Sequence, residues 1–225
     1  MKIFRLLILV LLPTILGGCL GRPETDVDPD RIYPTFILTY DEIEERTYTR
    51  SIFLADNEFG FRQELQGSAH VDFNGNELRF NNGEDEYLLF FNEIILRGEF
   101  EYVDQNGTSY TNPVAIDFTS FPSGLDTVDV RQDLQITWVG NAIAEGEFVT
   151  LVIEEQQFGI FESFQVSELG ARSLFVPSTE LLKFGVGPII LRLNREKSVD
   201  TIEDPGLGGQ IQSAYLAMPF NTIFK

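Results

Sequence analysis

Period-two alternation governs most of this chain after Ile32, and it leaves few folds open. Leu65, Gly67, Ala69, Val71 and Phe73 alternate with Gln66, Ser68, His70 and Asp72. Side chains on a strand point to opposite faces in turn, so this run predicts a half-buried strand with one wet face. Phe36, Leu38 and Tyr40 alternate likewise, as do Leu134, Ile136 and Trp138 against Gln135 and Thr137, and Phe148, Thr150 and Val152 within Glu147–Glu154. Asn74-Gly75, Asn82-Gly83 and Asn106-Gly107 punctuate the first half of the chain. Asn-Gly supplies the two positive φ angles of a type I′ hairpin turn. Many short strands, tight turns and no long helical period predict an all-β fold of antiparallel sandwiches.

All three Asn-Gly turns precede Asn112-Pro113, and the texture changes after it. Residues 33–112 would hold about eight strands and 113–225 about seven, each near the ~100 residues of an immunoglobulin-type sandwich. Two tandem modules divided there are expected, with one larger sandwich over 33–225 as the alternative.

In the second half, Leu134-Gln135-Ile136-Thr137-Trp138 is followed by a turn and Glu147-Phe148-Val149-Thr150-Leu151-Val152-Ile153. Val176-Pro177-Ser178-Thr179-Glu180-Leu181-Leu182 then gives way to Gly185 and to Gly187-Pro188-Ile189-Ile190-Leu191-Arg192-Leu193. Over residues 114–220 this pattern resembles the immunoglobulin/fibronectin-like modules of bacterial surface and periplasmic proteins. The resemblance implies a Trp-bearing strand paired with an apolar one and a one-turn helix crossing between sheets. Ser178 could cap that helix and Gly185 end it in a left-handed conformation. The two cysteines of antibody-type domains are missing, and such a pattern says nothing about ligand.

The N-terminus carries a second signal. Lys2 and Arg5 precede an apolar run from Leu6 to Ile15, which ends in Leu16-Gly17-Gly18-Cys19. A basic start, a short apolar segment and small residues make a secretory signal peptide, too short and too broken by Pro13 and Thr14 to span a bilayer. Leu-Gly-Gly-Cys resembles the lipobox of bacterial lipoproteins. The resemblance implies cleavage after Gly18, diacylglyceryl transfer to the Cys19 thiol and acylation of the new amino end, hence a membrane partner through a covalent lipid anchor. Residues 1–18 are then the signal peptide. Residues 19–32, rich in Pro, Gly and Asp, read as the lipidated end and a flexible acidic tether. Leu20 is not the aspartate that marks inner-membrane retention in many such lipoproteins, which points to the outer membrane.

Removing residues 1–18 takes away Lys2 and Arg5, so the basic residues fall from 16 to 14 against 35 acidic ones and the formal charge moves from −19 to −21. Such a chain repels phosphate, which sets nucleic-acid partners aside. Cys19 is the one cysteine, so no disulfide can form and stability must come from core burial.

No constellation of side chains marks an enzyme. His70, the one histidine, shares a strand face with Ser68 and Asp72. Side chains two apart on a strand project in parallel, roughly 6.6 Å apart at the Cα, and so do not form a nucleophile–base–orienter chain. One histidine and no free thiol make a poor zinc set. Calcium could use Asp72–Glu77, Asn82–Glu86, Asp104–Gly107 or the acidic Asp26, Asp28 and Asp30, but hairpin turns and a solvated tether want the same residues. A glycosidase would need two carboxylates facing across a cleft. Glu99 and Glu101, Glu154-Glu155 and Asp41-Glu42-Glu44-Glu45 are acid-rich without singling out a pair. Gly206-Leu207-Gly208-Gly209 lacks a P-loop lysine and reads as a loop.

Tyr87-Leu88-Leu89-Phe90-Phe91 is apolar on both faces, so something must cover the second. The second module is the expected cover, a partner protein the alternative. The expectation is thus a lipid-anchored envelope protein, in the periplasm or at the cell surface, with no cofactor and no metal. Its role would be non-catalytic: binding or scaffolding an envelope protein or glycan. An envelope glycan hydrolase with a carboxylate pair and a calcium-dependent adhesion module are the alternatives.

Overall fold

The computed structural model describes residues 28–156 and 159–225. The lipobox and Cys19 lie outside the described residues. A 3₁₀ turn (Pro29–Arg31) leads into β1 (Ile32–Asp41) and β2 (Arg46–Ala55). Then come β3 (His70–Phe73), β4 (Asn76–Glu77), β5 (Arg79–Asn81), β6 (Glu86–Phe91), β7 (Arg97–Val103) and β8 (Ser109–Ala115). The second half holds β9 (Thr119–Ser120), β10 (Thr127–Val128), β11 (Leu134–Thr137), β12 (Val139–Gly140), β13 (Glu147–Glu155) and β14 (Phe161–Val166). It closes with β15 (Ser173–Val176), a one-turn helix α1 (Ser178–Leu181), β16 (Gly187–Asp200), β17 (Gln210–Leu216) and β18 (Phe220–Phe224).

The fold is all-β and has two sandwich cores. In the first, Phe36, Leu38 and Phe53 from β1 and β2 face Val71, Phe73, Phe100 and Tyr102 from the β4-β3-β7-β8 sheet. Phe36 stacks on Phe100 with ring centroids 5.1 Å apart. In the second, Val149, Leu151, Ile153, Leu191 and Leu193 face Leu134, Ile136, Leu174 and Val176 of the β11–β15 pair, with Trp138 buried beside them. The cores change over within three residues, since Val114 packs in the first and Ile116 in the second. The expected boundary after Asn112 therefore lies inside β8.

The modules share a sheet. β1 pairs antiparallel with β2 and, on its other side, parallel with β17, Thr35 to Asp41 against Gln210 to Leu216. One ten-stranded sheet so runs through both halves, from β5 and β6 at one end to β13 and β14 at the other. Parallel pairing between strands this far apart in sequence leaves no hairpin signal to read.

Several local expectations need correction. The strand expected over Leu65–Phe73 begins only at His70. Gly67 takes φ +64° in a turn, while Leu65 and Ala69 pack on the core from loop backbone. On β13 the core face is Val149, Leu151 and Ile153, opposite to the expected row of Phe148, Thr150 and Val152. Both rows are apolar enough to alternate, and Leu191 and Leu193 of β16 decide which row faces the core. Only Asn74-Gly75 has two positive φ angles, 50° and 73°, as a type I′ turn requires. Asn82-Gly83 lies in a four-residue connection whose left-handed residue is Asp85, and in Asn106-Gly107 only the glycine has positive φ. Ser178 does not cap α1; its N–H donates to Asp133 Oδ1 at 2.8 Å, so the cap comes from another loop. Gly185 is not left-handed; a Cβ there would meet Glu155 Oε1 at 2.9 Å.

Candidate functional site

The groups singled out from the sequence do not assemble into a catalytic centre. Ser68 Oγ donates to the Gln105 carbonyl, and His70 Nδ1 faces the Ser68 carbonyl at 3.0 Å rather than its hydroxyl. His70 Nε2 lies 3.8 Å from Asp72 Oδ2, and burial pushes the Asp72 carboxyl above its ordinary range. Glu99 and Glu101 share the exposed face of β7, where Glu101 accepts from Ser109 Oγ at 2.6 Å. Glu154 pairs with Arg192 at 3.2 Å while its neighbour Glu155 points inward and is buried.

In the expected calcium loop Asp104–Gly107 the carboxylate serves the turn instead, and Asp41 and Glu42 of the acid-rich segment Asp41–Glu45 are likewise taken up by backbone N–H groups. Asp104 Oδ1 accepts from the N–H groups of Asn106 and Thr108, each at 2.8 Å. Asp41 accepts from Ile43 and Glu44, and Glu42 accepts from the Met218 N–H. Among the described residues no three His, Cys, Asp or Glu side chains converge on a common point. In Gly206–Gly209, Asp204 Oδ1 accepts from Gly206 and Gly208, so this segment is a structured loop.

The second face of Tyr87–Phe91 does not meet the expected cover. Tyr87 is in the first core, and Leu89 and Phe91 pack against it. Phe90 points the other way and is 51% exposed, with the Arg46 guanidinium carbon 5.2 Å from its ring centroid. The second module does not shield it.

That outer face carries a pair of adjoining depressions. Ile37 is only 9% exposed yet belongs to neither core, because its β1 neighbours Phe36 and Leu38 point inward and it points out. It lies in a depression of about 290 Å³ with Thr39, Arg50, Phe148, Glu196 and Gln212. A second depression of about 310 Å³ adjoins it, sharing Thr39 and Arg50 and adding Asp41, Tyr48, Glu86 and Leu88. Registers across the shared sheet account for the row: Phe148 lies opposite Glu196, Glu196 opposite Ala214, Ala214 opposite Thr39, Thr39 opposite Tyr48 and Tyr48 opposite Phe90. The trough crosses strands of both modules, so neither forms it alone.

Its electrostatics are mixed. Burial raises the Glu196 carboxyl above its ordinary range. Burial also raises Glu86, against the opposing pull of Arg50 at 4.0 Å and Arg62 at 3.8 Å. Glu86 Oε1 has no hydrogen-bond partner within the protein. Tyr48 donates to Glu44 at the rim, which holds its phenol proton more tightly. Ile37 on the floor, aromatic side chains at the ends and a central guanidinium in a mainly polar lining suit recognition of an extended polar or peptide-like ligand. No sequence pattern marked these residues as a site, because the pair Ile37–Arg50 of β1–β2 and the pair Phe148–Glu196 of β13–β16 are brought together only through β1–β17 pairing.

No family model matches the chain, and no curated protein matches it. Among solved structures it is similar to a tetra-tandem repeat in the extending region of a large adhesion protein, at TM-score 0.30 and 10% identity over 85% of this chain and 49% of that one. It is also similar to part of a 1.5-MDa bacterial ice-binding adhesin, at 0.22 and 12% over 86% and 64%. A third likeness is to the chicken CNTN1 FN1–FN3 domains, at 0.25 and 7% over 82% and 67%. The chain spans about half the length of the first of these, and likeness at these scores carries no functional assignment.

Proposed function

We propose that this is a lipid-anchored envelope protein with a non-catalytic binding role, taking a protein or glycan partner in the trough on the outer face of the shared sheet. The observation that carries the binding role is the burial of Ile37 on the face away from both cores, in a depression built by strands of both modules. A surface isoleucine on a sheet is ordinarily exposed. Here the flanking Phe148, Arg50 and Glu196 form walls around it, and a walled depression that sets a buried apolar side chain among polar and charged groups can grip a ligand carrying both kinds of surface. Leu16-Gly17-Gly18-Cys19 behind a short apolar run supports the anchor.

A photo-crosslinking amino acid placed at Thr39 or Ala214 in living cells tests the site. Both positions should trap the same partner, and Glu101, exposed on the opposite sheet, should trap none. Equal trapping at Glu101 would remove the trough from consideration. Intact-mass measurement of the native protein tests the anchor separately, and an unmodified Cys19 would overturn it.

A further inference from the structure

Phe59 and Phe61 are 88% and 80% exposed, more than any other large apolar side chain among the described residues. They are held out by a built turn. The Ala55 N–H donates to the Phe61 carbonyl at 3.0 Å, the Gly60 N–H to the Asn57 carbonyl at 2.9 Å, and the Phe59 N–H to Asn57 Oδ1 at 2.8 Å. Gly60 permits the turn, since a Cβ there would lie 1.7 Å from the Ala55 carbonyl oxygen. Hydrogen bonds thus fix a loop whose two rings touch neither core, and exposed aromatic pairs of this kind mark contact surfaces.

The turn sits where the described chain begins. Arg31 pairs with Asp56 at 2.5 Å, and the Asp56 N–H donates to the Arg31 carbonyl at 2.8 Å. The β16–β17 loop closes the same end. A Cβ on Gly209 would meet the Pro34 carbonyl at 2.7 Å and one on Gly206 would meet the Asp30 carbonyl at 3.8 Å, and the loop exposes Ile202 (71%) and Leu207 (40%). Cys19 precedes Asp28 by nine residues, which reach at most ~30 Å when fully extended. An anchor at Cys19 therefore keeps this end of the molecule within ~30 Å of the bilayer.

We propose that Phe59 and Phe61, flanked by Ile202 and Leu207, form a wedge that enters the interfacial layer of the membrane beside the lipid anchor and sets the orientation of the trough. The proposal rests on the anchor reading for its geometry. Aromatic rings settle at the boundary of headgroups and acyl chains, about 5–10 Å into the layer. Asp28, Asp30, Glu58, Asp200, Glu203 and Asp204 lie in the same segments, so the surface that fits is zwitterionic, and anionic headgroups would repel it.

The test supplies the anchor artificially. Chain 19–225 with Cys19→Ser and an N-terminal polyhistidine tag is held on phosphatidylcholine vesicles containing a nickel-chelating lipid. Phe59→Trp and Phe61→Trp report insertion. Val186→Trp is the control, exposed just ahead of β16, whose 14 residues end on the wedge side, roughly 43 Å away. Bromine-substituted acyl chains should lower the emission of the first two by about half beyond the buried Trp138 background, and leave the control unchanged. Adding phosphatidylglycerol should weaken the quenching. If the tryptophan of Phe59→Trp stays open to aqueous iodide and blind to bromolipid, the wedge is overturned and a protein becomes the occupant of this loop. Because the tag replaces the lipid, the result is independent of whether native Cys19 is acylated, which intact mass decides.

Discussion

The guanidinium of Arg195 is fully buried in the second module and lies 2.5 Å from the Glu147 carboxylate. It also donates to the carbonyls of Asn141 and Ala142 at 3.0 and 2.9 Å, and Trp138 Nε1 donates to the same Asn141 carbonyl. Glu147 in turn accepts from the Ala144 N–H at 2.9 Å. A core arginine thus organises the whole connection between β12 and β13.

Removing one partner of a buried pair strands the other charge away from water. Arg195→Met should lower stability by about 3–5 kcal/mol, and the double change Arg195→Met with Glu147→Leu should recover much of it. Urea melts of the two variants check this. A double variant as unstable as the single one would show that the carbonyl bonds to Asn141 and Ala142 dominate.

The shared strand predicts that the modules do not separate. Truncation after Gly209 removes β17 and bares the backbone edge of β1 from Thr35 to Asp41. It also removes Ile211 from the first core and Tyr215 from the second. An uncovered edge of that length invites association. Gel filtration and circular dichroism should show aggregated or unfolded chain; a folded monomer would refute the prediction.

Turn chemistry separates two Asn-Gly pairs that look alike. Asn74→Ala loses a side chain that tolerates φ 50° and accepts from the Glu99 N–H at 3.0 Å. It should cost about 1–2 kcal/mol. Asn82→Ala, where φ is negative, should stay within about 0.5 kcal/mol. Equal losses in chemical denaturation would contradict the assigned turn types.

The trough carboxyl Glu196 gives a pH signature. Its folded pKa lies above the ordinary value because burial disfavours the charge, so the folded protein binds the proton more tightly than the unfolded chain. Stability should rise as pH falls from neutral through the folded value, and level off below the ordinary value near 4.3. Asp129, lowered to about 2 by Arg131, titrates below this window. Falling self-repulsion of the −19 chain acts in the same direction, so the comparison with Glu196→Gln isolates the one group. Melts at pH 7 and pH 5 should show a more stable variant at pH 7 and a smaller gain on acidification. An unchanged gain would mean that Glu196 is not desolvated.

Strand class, strand number in the first half, the Phe36-Leu38-Tyr40 and Leu134-Ile136-Trp138 core rows and the type I′ turn at Asn74-Gly75 are all properties of neighbouring residues, and alternation and φ preference expose them in the sequence. The core face of β13 was not legible, because Val149 and Val152 are equally apolar and only Leu191 and Leu193 across the ladder choose between the two rows. The parallel pairing of β1 with β17, the trough around Ile37 and the Arg195–Glu147 contact join residues dozens to more than a hundred positions apart. Local pattern carries no information about such pairings. They are set by which strand edges and which buried charges meet as the two cores pack, and only the tertiary structure decides that.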